Sequence, residues 1–214
     1  MEENTSLAIK IIILGSTEVG KTSILDRYFN DVFRQNQVST IGIDFLTKYF
    51  KFDSKKIKVI YNDTAGQEKF RAISINYLKA ANGVILVYDI TKQHTFDALE
   101  EWLKYIKDNN EIDLPKVLIG NKFDLKDERV VSQEEAQKFA DSIGCNYYEG
   151  SAKTGYNIKE ALDEVARITY EFVKDKKNND DEDDKDGVIL DRSKSLNDGK
   201  KKKMLLIVIF IKYI

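Results

Sequence analysis

The chain predicts an α/β fold: a six-stranded, mostly parallel sheet with one antiparallel strand and helices on both faces. Three observations lead there. Short apolar runs alternate with longer amphipathic ones, the pattern of β-strands joined by crossover helices. Several of these runs are continuously apolar, as strands covered on both faces are. One pair of strand-like runs is separated by only a short polar stretch, which adds a hairpin.

In chain order, residues 7–14 (LAIKIIIL) form the first strand. A glycine-rich turn follows, then a helix over residues 21–29. Residues 45–52 and 57–61, joined by 53–56, make the hairpin. Residues 83–88 (GVILVY) are the fourth strand. Phe96, Leu99, Leu103 and Ile106 then recur at helical spacing. Residues 116–120 (KVLIG) are the fifth strand. Ser132 with Glu135 is a capping box that opens a helix to about residue 143. Residues 146–149 are the last strand. Ile158, Leu162, Val165, Ile168 and Phe172 mark one side of a long final helix.

The 214 residues are 42% hydrophobic, enough for one substantial core, and the formal net charge of −2 gives no footprint for nucleic acid. Cys145 is the single cysteine, so no internal disulfide can form and a reducing compartment fits. In its apolar stretch it reads as a buried core thiol. His94 is the single histidine, which excludes a histidine metal site and a Ser-His-Asp triad built on it; it reads as surface. The first six residues carry no secretory signal, so the chain is expected to face the cytosol.

After Lys174 the composition changes. Residues 175–187 (DKKNNDDEDDKDG) have no apolar side chain to offset ordering entropy. The organisation read from sequence is therefore one folded domain over 1–174, a charged disordered linker over 175–199, and a basic-then-apolar tail over 200–214. The tail's final segment, 204–214 (MLLIVIFIKYI), reaches only about 16 Å as a helix, against roughly 30 Å of hydrocarbon, so it does not span. Three readings stand for it: a basic-plus-apolar interfacial anchor, a partner-binding tail, or translated non-coding sequence.

The chemistry lies in the loops. Gly15-Ser16-Thr17-Glu18-Val19-Gly20-Lys21-Thr22 fits G-x-x-x-x-G-K-[ST], after a strand and opening a helix. Its glycines turn the backbone so that N–H groups converge on phosphate oxygens, aided by the helix N-terminus. Lys21 is expected on the β/γ-phosphates and the Thr22 hydroxyl on Mg²⁺. Asn121-Lys122-Phe123-Asp124 ends the fifth strand, at the edge where α/β ligands bind. A carboxylate at Asp124 accepts from guanine N1–H and its exocyclic amine, donors that adenine lacks there. Ser151-Ala152-Lys153, beyond the last strand, offers backbone amides to guanine O6. In Asp63-Thr64-Ala65-Gly66-Gln67-Glu68, Asp63 can hold Mg²⁺ through water, Gly66 can approach the γ-phosphate, and Gln67 can orient the attacking water.

With these motifs in order, the chain resembles a Ras-superfamily small GTPase from about residue 7 to 174, and most resembles the Rab family. The Rab-like residues are Ile41-Gly42-Ile43-Asp44-Phe45, Lys69-Phe70-Arg71 and Leu86-Val87-Tyr88-Asp89-Ile90-Thr91. The resemblance implies the P-loop small GTPase fold and GTP/GDP with Mg²⁺ as ligands. It places Thr17, Glu18, Val19 and Ser23 with the phosphate loop, Thr40 on Mg²⁺ and the γ-phosphate, and Phe33 on the guanine ring. It implies a GTP/GDP switch in vesicle trafficking, slow without an activating protein, at about 10⁻⁴ per second by the figure known for Ras. Switch segments at 33–43 and 66–80 are implied, with effectors, exchange factor and activating protein meeting residues 33–45 and 66–80. Localisation at the cytosolic face of an endomembrane, with peripheral membrane association, is implied too.

The chain departs from the family at three places. Asn62 stands where Rab proteins usually carry tryptophan, in an apolar effector surface with Phe45 and Tyr77. Thr17 brings a branched side chain to the phosphate loop, where it can crowd Gln67 or an incoming arginine and slow hydrolysis; Glu18 beside it is expected to point to solvent. No C-terminal cysteine is present to carry a prenyl group. A nucleotide-loaded scaffold with little hydrolysis is the alternative function, and a P-loop kinase or ATPase is disfavoured by Asp124.

Overall fold

A computed structural model describes residues 7–35, 43–64, 71–110 and 112–189. Six strands form one sheet: β1 (Leu7–Leu14), β2 (Ile43–Phe52), β3 (Lys55–Thr64), β4 (Gly83–Asp89), β5 (Lys116–Asn121) and β6 (Asn146–Glu149). Their spatial order is β2-β3-β1-β4-β5-β6. Among the described residues, only the β2–β3 pair is antiparallel. The expected class and strand count both hold.

β4 and β5 are buried along their whole length, as expected for strands sandwiched between helices. The β2–β3 turn is just Asp53-Ser54, between paired Phe52 and Lys55. Both turn residues have positive φ, 48° and 63°, the geometry of a tight hairpin whose twist matches its strands. The tip is tied down: Asp53 Oδ2 accepts from the Tyr170 hydroxyl at 3.2 Å and from Lys174 Nζ at 2.5 Å.

Two apolar clusters cover the sheet faces. One packs Ile11, Ile24, Leu25, Val59, Leu162 and Val165 under α1 (Lys21–Asn30) and α6 (Ile158–Ile189). The other packs Leu14, Leu78, Leu86, Trp102 and Ala136 under α2 (Arg71–Lys79), α4 (Leu99–Asn109) and α5 (Gln133–Ser142). Ser132 caps α5 as its sequence signals, its Oγ accepting from Glu135 N–H at 3.1 Å.

Local patterning missed three features. The helix expected around Phe96–Ile106 begins as a separate α3 (Gln93–Asp97), with Ala98 between it and α4. The Thr95 hydroxyl donates to Lys92 O at 2.7 Å and accepts from Asp89 N–H at 3.0 Å, fastening α3 to the end of β4. α2 is helical although Ile73-Ser74-Ile75 alternates like a strand; burial of Leu78 in the second cluster accompanies the helix. Finally, α6 continues to Ile189 instead of giving way to an irregular linker at Asp175. Extending an existing helix fixes one residue per added hydrogen bond and avoids the cost of a new nucleus. By contacts the chain separates into Met1–Lys174 and Asp175–Ile214. Among the described residues, no helix is long and apolar enough to cross a membrane. The tail 200–214 lies outside them.

Cys145 is half-buried against the second cluster, and burial pushes its thiol up to about 11. His94 is exposed.

Gly83 of β4 packs closely against Thr169 of α6. A Cβ there would lie 2.1 Å from Thr169 Oγ1. Gly83→Ala is expected to destabilise the domain by about 2 kcal/mol through overpacking. Adding Thr169→Ala should recover part of the loss. Chemical denaturation of the single and double variants checks both.

Candidate functional site

The phosphate-loop motif lies between β1 and α1. Gly15 must be glycine, because a Cβ there would sit 2.2 Å from Val87 O of β4. Gly20, at φ 94°, turns the loop into α1, and its missing Cβ leaves room for Asn121, whose Nδ2 would be 2.4 Å away. Lys21 folds back over the loop. Its Nζ donates to Gly15 O at 2.8 Å and Ser16 O at 2.9 Å, and the residue is only 5% exposed. Burial draws the Lys21 ammonium down to about 8, against the opposing pull of Asp63. Val19 is fully buried in the first cluster, whereas Thr17 and Glu18 are exposed. Glu18 points outward, as expected, and pairs with Lys92 at 3.3 Å.

Asp63, near the end of β3, faces this loop. It is 2% exposed, and burial raises its carboxyl to about 6, against a hydrogen bond from Thr22 and the charge of Lys21. Asp63 Oδ1 has no hydrogen-bond partner. A buried carboxylate oxygen left free beside a lysine and a threonine hydroxyl suits a hard cation with oxygen ligands. The donor set thus fits Mg²⁺. Ser23, in the first turn of α1, is half-buried.

The two base-side motifs meet through Asn121 and Ser151. Asn121 Nδ2 donates to Val19 O at 2.8 Å, and its Oδ1 accepts from Ala152 N–H at 3.1 Å. One carboxamide therefore joins the phosphate loop to the 151–153 loop. Ser151 Oγ donates to Asp124 Oδ1 at 2.6 Å and accepts from Thr154 N–H at 3.1 Å. Lys153 Nζ lies 3.5 Å from Asp124 Oδ2. Lys122 takes a left-handed conformation, φ 70°, with its Nζ 2.6 Å from Asp89 Oδ2. Asp124 itself sits on a short 3-10 turn, Phe123–Glu128. Beyond that turn, Arg129 grips Glu149 with both guanidinium arms, the second at 2.9 Å. Glu149 also accepts from the Tyr147 hydroxyl at 2.9 Å. The loop carrying Asp124 is closed onto β6 by these contacts.

Arg27 is the residue that the motifs did not single out. From the last turn of α1, its Nε donates to Ala152 O at 2.9 Å and its Nη2 to Lys153 O at 2.8 Å. The only sign in the sequence is an arginine late in a helix, which also reads as a favourable charge near the C-terminus.

The structure thus gathers Gly15, Val19, Gly20, Lys21, Thr22 and Asp63 on one side, and Asn121, Lys122, Asp124, Ser151, Ala152 and Lys153 on the other. All sit at or beyond the carboxyl ends of strands, the first set around β1, where the strand order reverses, and the second after β5 and β6. Phe33 is half-buried against the first cluster. Thr40, Gly66 and Gln67 lie outside the described residues, as do most of the two switch segments. Of the aromatic surface, Phe45 and Tyr77 have ring centroids 5.5 Å apart. Asn62 is 1% exposed, with its Oδ1 lacking a partner.

A pH dependence follows from Asp63. Its folded-state value lies above the ordinary 3.8, so the folded chain holds the proton more tightly than the unfolded one. The stability this adds is present below about 4 and is lost as pH rises through about 6. In the nucleotide-free protein, the stability of the native chain relative to Asp63→Asn should therefore fall between those limits. Denaturant midpoints across that range check the sign.

A profile of the Ras family matches residues 10–171. Ras-related protein Rab-8B of Bos taurus is 40% identical over 167 residues, covering 78% of this chain and 81% of that protein. Ras-related protein Rab-3A of Homo sapiens is 41% identical over 170 residues, covering 79% and 77%. Ras-related protein Rab-8A of Bos taurus is 40% identical over 167 residues, covering 78% and 81%. The chain belongs to the Ras family and is most similar to its Rab members: it is a small GTPase that binds GTP or GDP with Mg²⁺ and hydrolyses GTP.

Proposed function

We propose that this GTPase is a trafficking switch whose GTP form recruits effectors at the cytosolic face of an endomembrane. In this reading, residues 33–43 and 66–80 are ordered by γ-phosphate contacts through Thr40 and Gly66, and hydrolysis releases them. Effectors, exchange factor and activating protein engage residues 33–45 and 66–80. Membrane association is peripheral.

At the nucleotide, the Gly15–Thr22 backbone amides cradle phosphate oxygens and Lys21 Nζ neutralises their charge. Thr22, Thr40 and Asp63 hold Mg²⁺, which when bound spreads the charge of the β- and γ-phosphates. Gln67 orients a water toward the γ-phosphorus. The water oxygen bonds to phosphorus, the bond to the β–γ bridging oxygen breaks, and GDP departs with that electron pair. The water proton passes to phosphate. Asp124 accepts from guanine N1–H and the exocyclic amine; backbone amides of the 151–153 loop meet O6. The observation that carries base selection is the Asn121 bridge, which fixes the 151–153 loop relative to the phosphate loop.

Loss of both base hydrogen bonds to a carboxylate costs about 3 kcal/mol. Asp124→Ala should therefore weaken GTP binding about a hundredfold, while ATP fails to compete in either protein. Competition binding against a fluorescent guanine nucleotide decides this; comparable ATP and GTP affinities would sink the guanine assignment.

Two single-turnover measurements test the chemistry. Gln67→Leu should slow hydrolysis about tenfold or more without weakening binding, in line with the loss of a water-positioning group. Thr17→Gly should speed intrinsic hydrolysis or its response to an activating protein. An unchanged rate in both assays removes the idea that Thr17 crowds Gln67.

A further inference from the structure

The reading of 121–124 and 151–153 as guanine loops leaves open what holds the second of them from outside. Its backbone carbonyls at Ala152 and Lys153 face α1, not the base-side motif. Both are taken by one side chain, Arg27, at 2.9 and 2.8 Å. The same guanidinium has a third arm. Arg27 Nη1 donates to Asp31 O at 3.0 Å and to Asp31 Oδ1 at 2.7 Å. Asp31 is the left-handed residue that ends α1, at φ 53°, and its N–H returns to Arg27 O at 3.1 Å. The chain then passes directly to Val32 and Phe33.

The fork is built into the fold. The Arg27 side chain is 17% exposed. Gly155, at φ 85°, lies beside its stem, where even a Cβ would stand 3.6 Å from Arg27 Cδ, an ordinary contact. α1 is a continuous helix from Lys21, so Arg27 stands about 9 Å along the axis from the phosphate lysine. Two rigid links therefore meet the 151–153 loop: Asn121 from the phosphate loop, and Arg27 from the far end of α1.

We infer that Arg27 is a positioning residue for nucleotide retention, a strut that holds the 151–153 loop and the start of the 33–43 segment in one arrangement. It rests on the guanine reading above. Its contact to each carbonyl holds the backbone of Ala152 and Lys153 from the α1 side, while Asn121 holds the Ala152 amide from the other. Its contact to Asp31 ties that geometry to the segment that carries Phe33. Releasing the fork loosens both walls of the base site together, so the first quantity to change is the rate at which bound nucleotide leaves. A lysine cannot replace the arginine fully, because an ammonium lacks the planar fork that serves four acceptor atoms on three residues. The exposed Asp31 carboxylate, 91% accessible, contributes least, as surface pairs do.

The test is dissociation of preloaded fluorescent GDP, and separately of a non-hydrolysable GTP analogue, chased with excess unlabelled GDP in the full chain. Arg27→Gln should speed release of both nucleotides about tenfold or more. Arg27→Lys should give an intermediate rate, and Asp31→Ala about a twofold rise. Release is measured only on molecules that hold nucleotide, so a loss of folded protein does not move it. Arg27→Gln or Arg27→Lys releasing GDP within twofold of the native rate overturns the inference. If Arg27→Gln cannot be loaded, the Arg27→Lys rate alone decides, with threefold or more expected. A native chain that fails to retain GDP would instead overturn the guanine reading beneath it.

Discussion

The site depends on one carboxamide. Asn121 gives a hydrogen bond to the phosphate loop through Nδ2 and takes one from Ala152 through Oδ1. Both partners are backbone, and Asn121 is 2% exposed. Only an amide side chain has a donor and an acceptor at this separation; an aspartate would lose the donor and a leucine both. Removing it would strand two buried backbone groups, each at a cost of about 1–3 kcal/mol. The glycine at position 20 is part of the same constraint, since a side chain there would occupy the amide's place.

Around that bridge the charge pattern is uncomfortable by design of the ligand rather than of the protein. Lys21 and Asp63 are both buried, both displaced toward neutrality by burial, and each eases the other only in part. Asp63 Oδ1 makes no hydrogen bond within the protein. In the proposed function, a nucleoside triphosphate with its metal would bring negative oxygens to the lysine and a cation to the carboxylate. Buried charges that are incompletely paired in the protein alone mark a binding site more often than a structural one. The Arg129–Glu149 pair is the contrast, with both carboxylate oxygens satisfied and a position behind the base loops.

Asn62 has no such account. It is buried on β3 with an unpartnered Oδ1, opposite Phe45 in the sheet register. Its register partner Phe45 carries the ring contact to Tyr77.

The sequence by itself determined the sheet, because continuous apolar runs such as 83–88 have few other solutions; it placed the hairpin joint at 53–56, which the structure narrows to the two-residue turn Asp53-Ser54. It also determined the chemistry of the motifs, because a phosphate-binding loop needs its glycines, lysine and threonine at set spacing along the chain. Tertiary structure alone decided the rest. The break at Ala98, the helical state of residues 71–79 and the continuation of α6 turn on contacts or on cooperative extension, which local periodicity does not encode. Arg27 belongs with them. Its acceptors Ala152 and Lys153 lie more than a hundred residues away along the chain, so its role exists only once α1 is packed against the loop after β6. Pattern reveals what a segment can do by itself; which distant groups meet is set by packing.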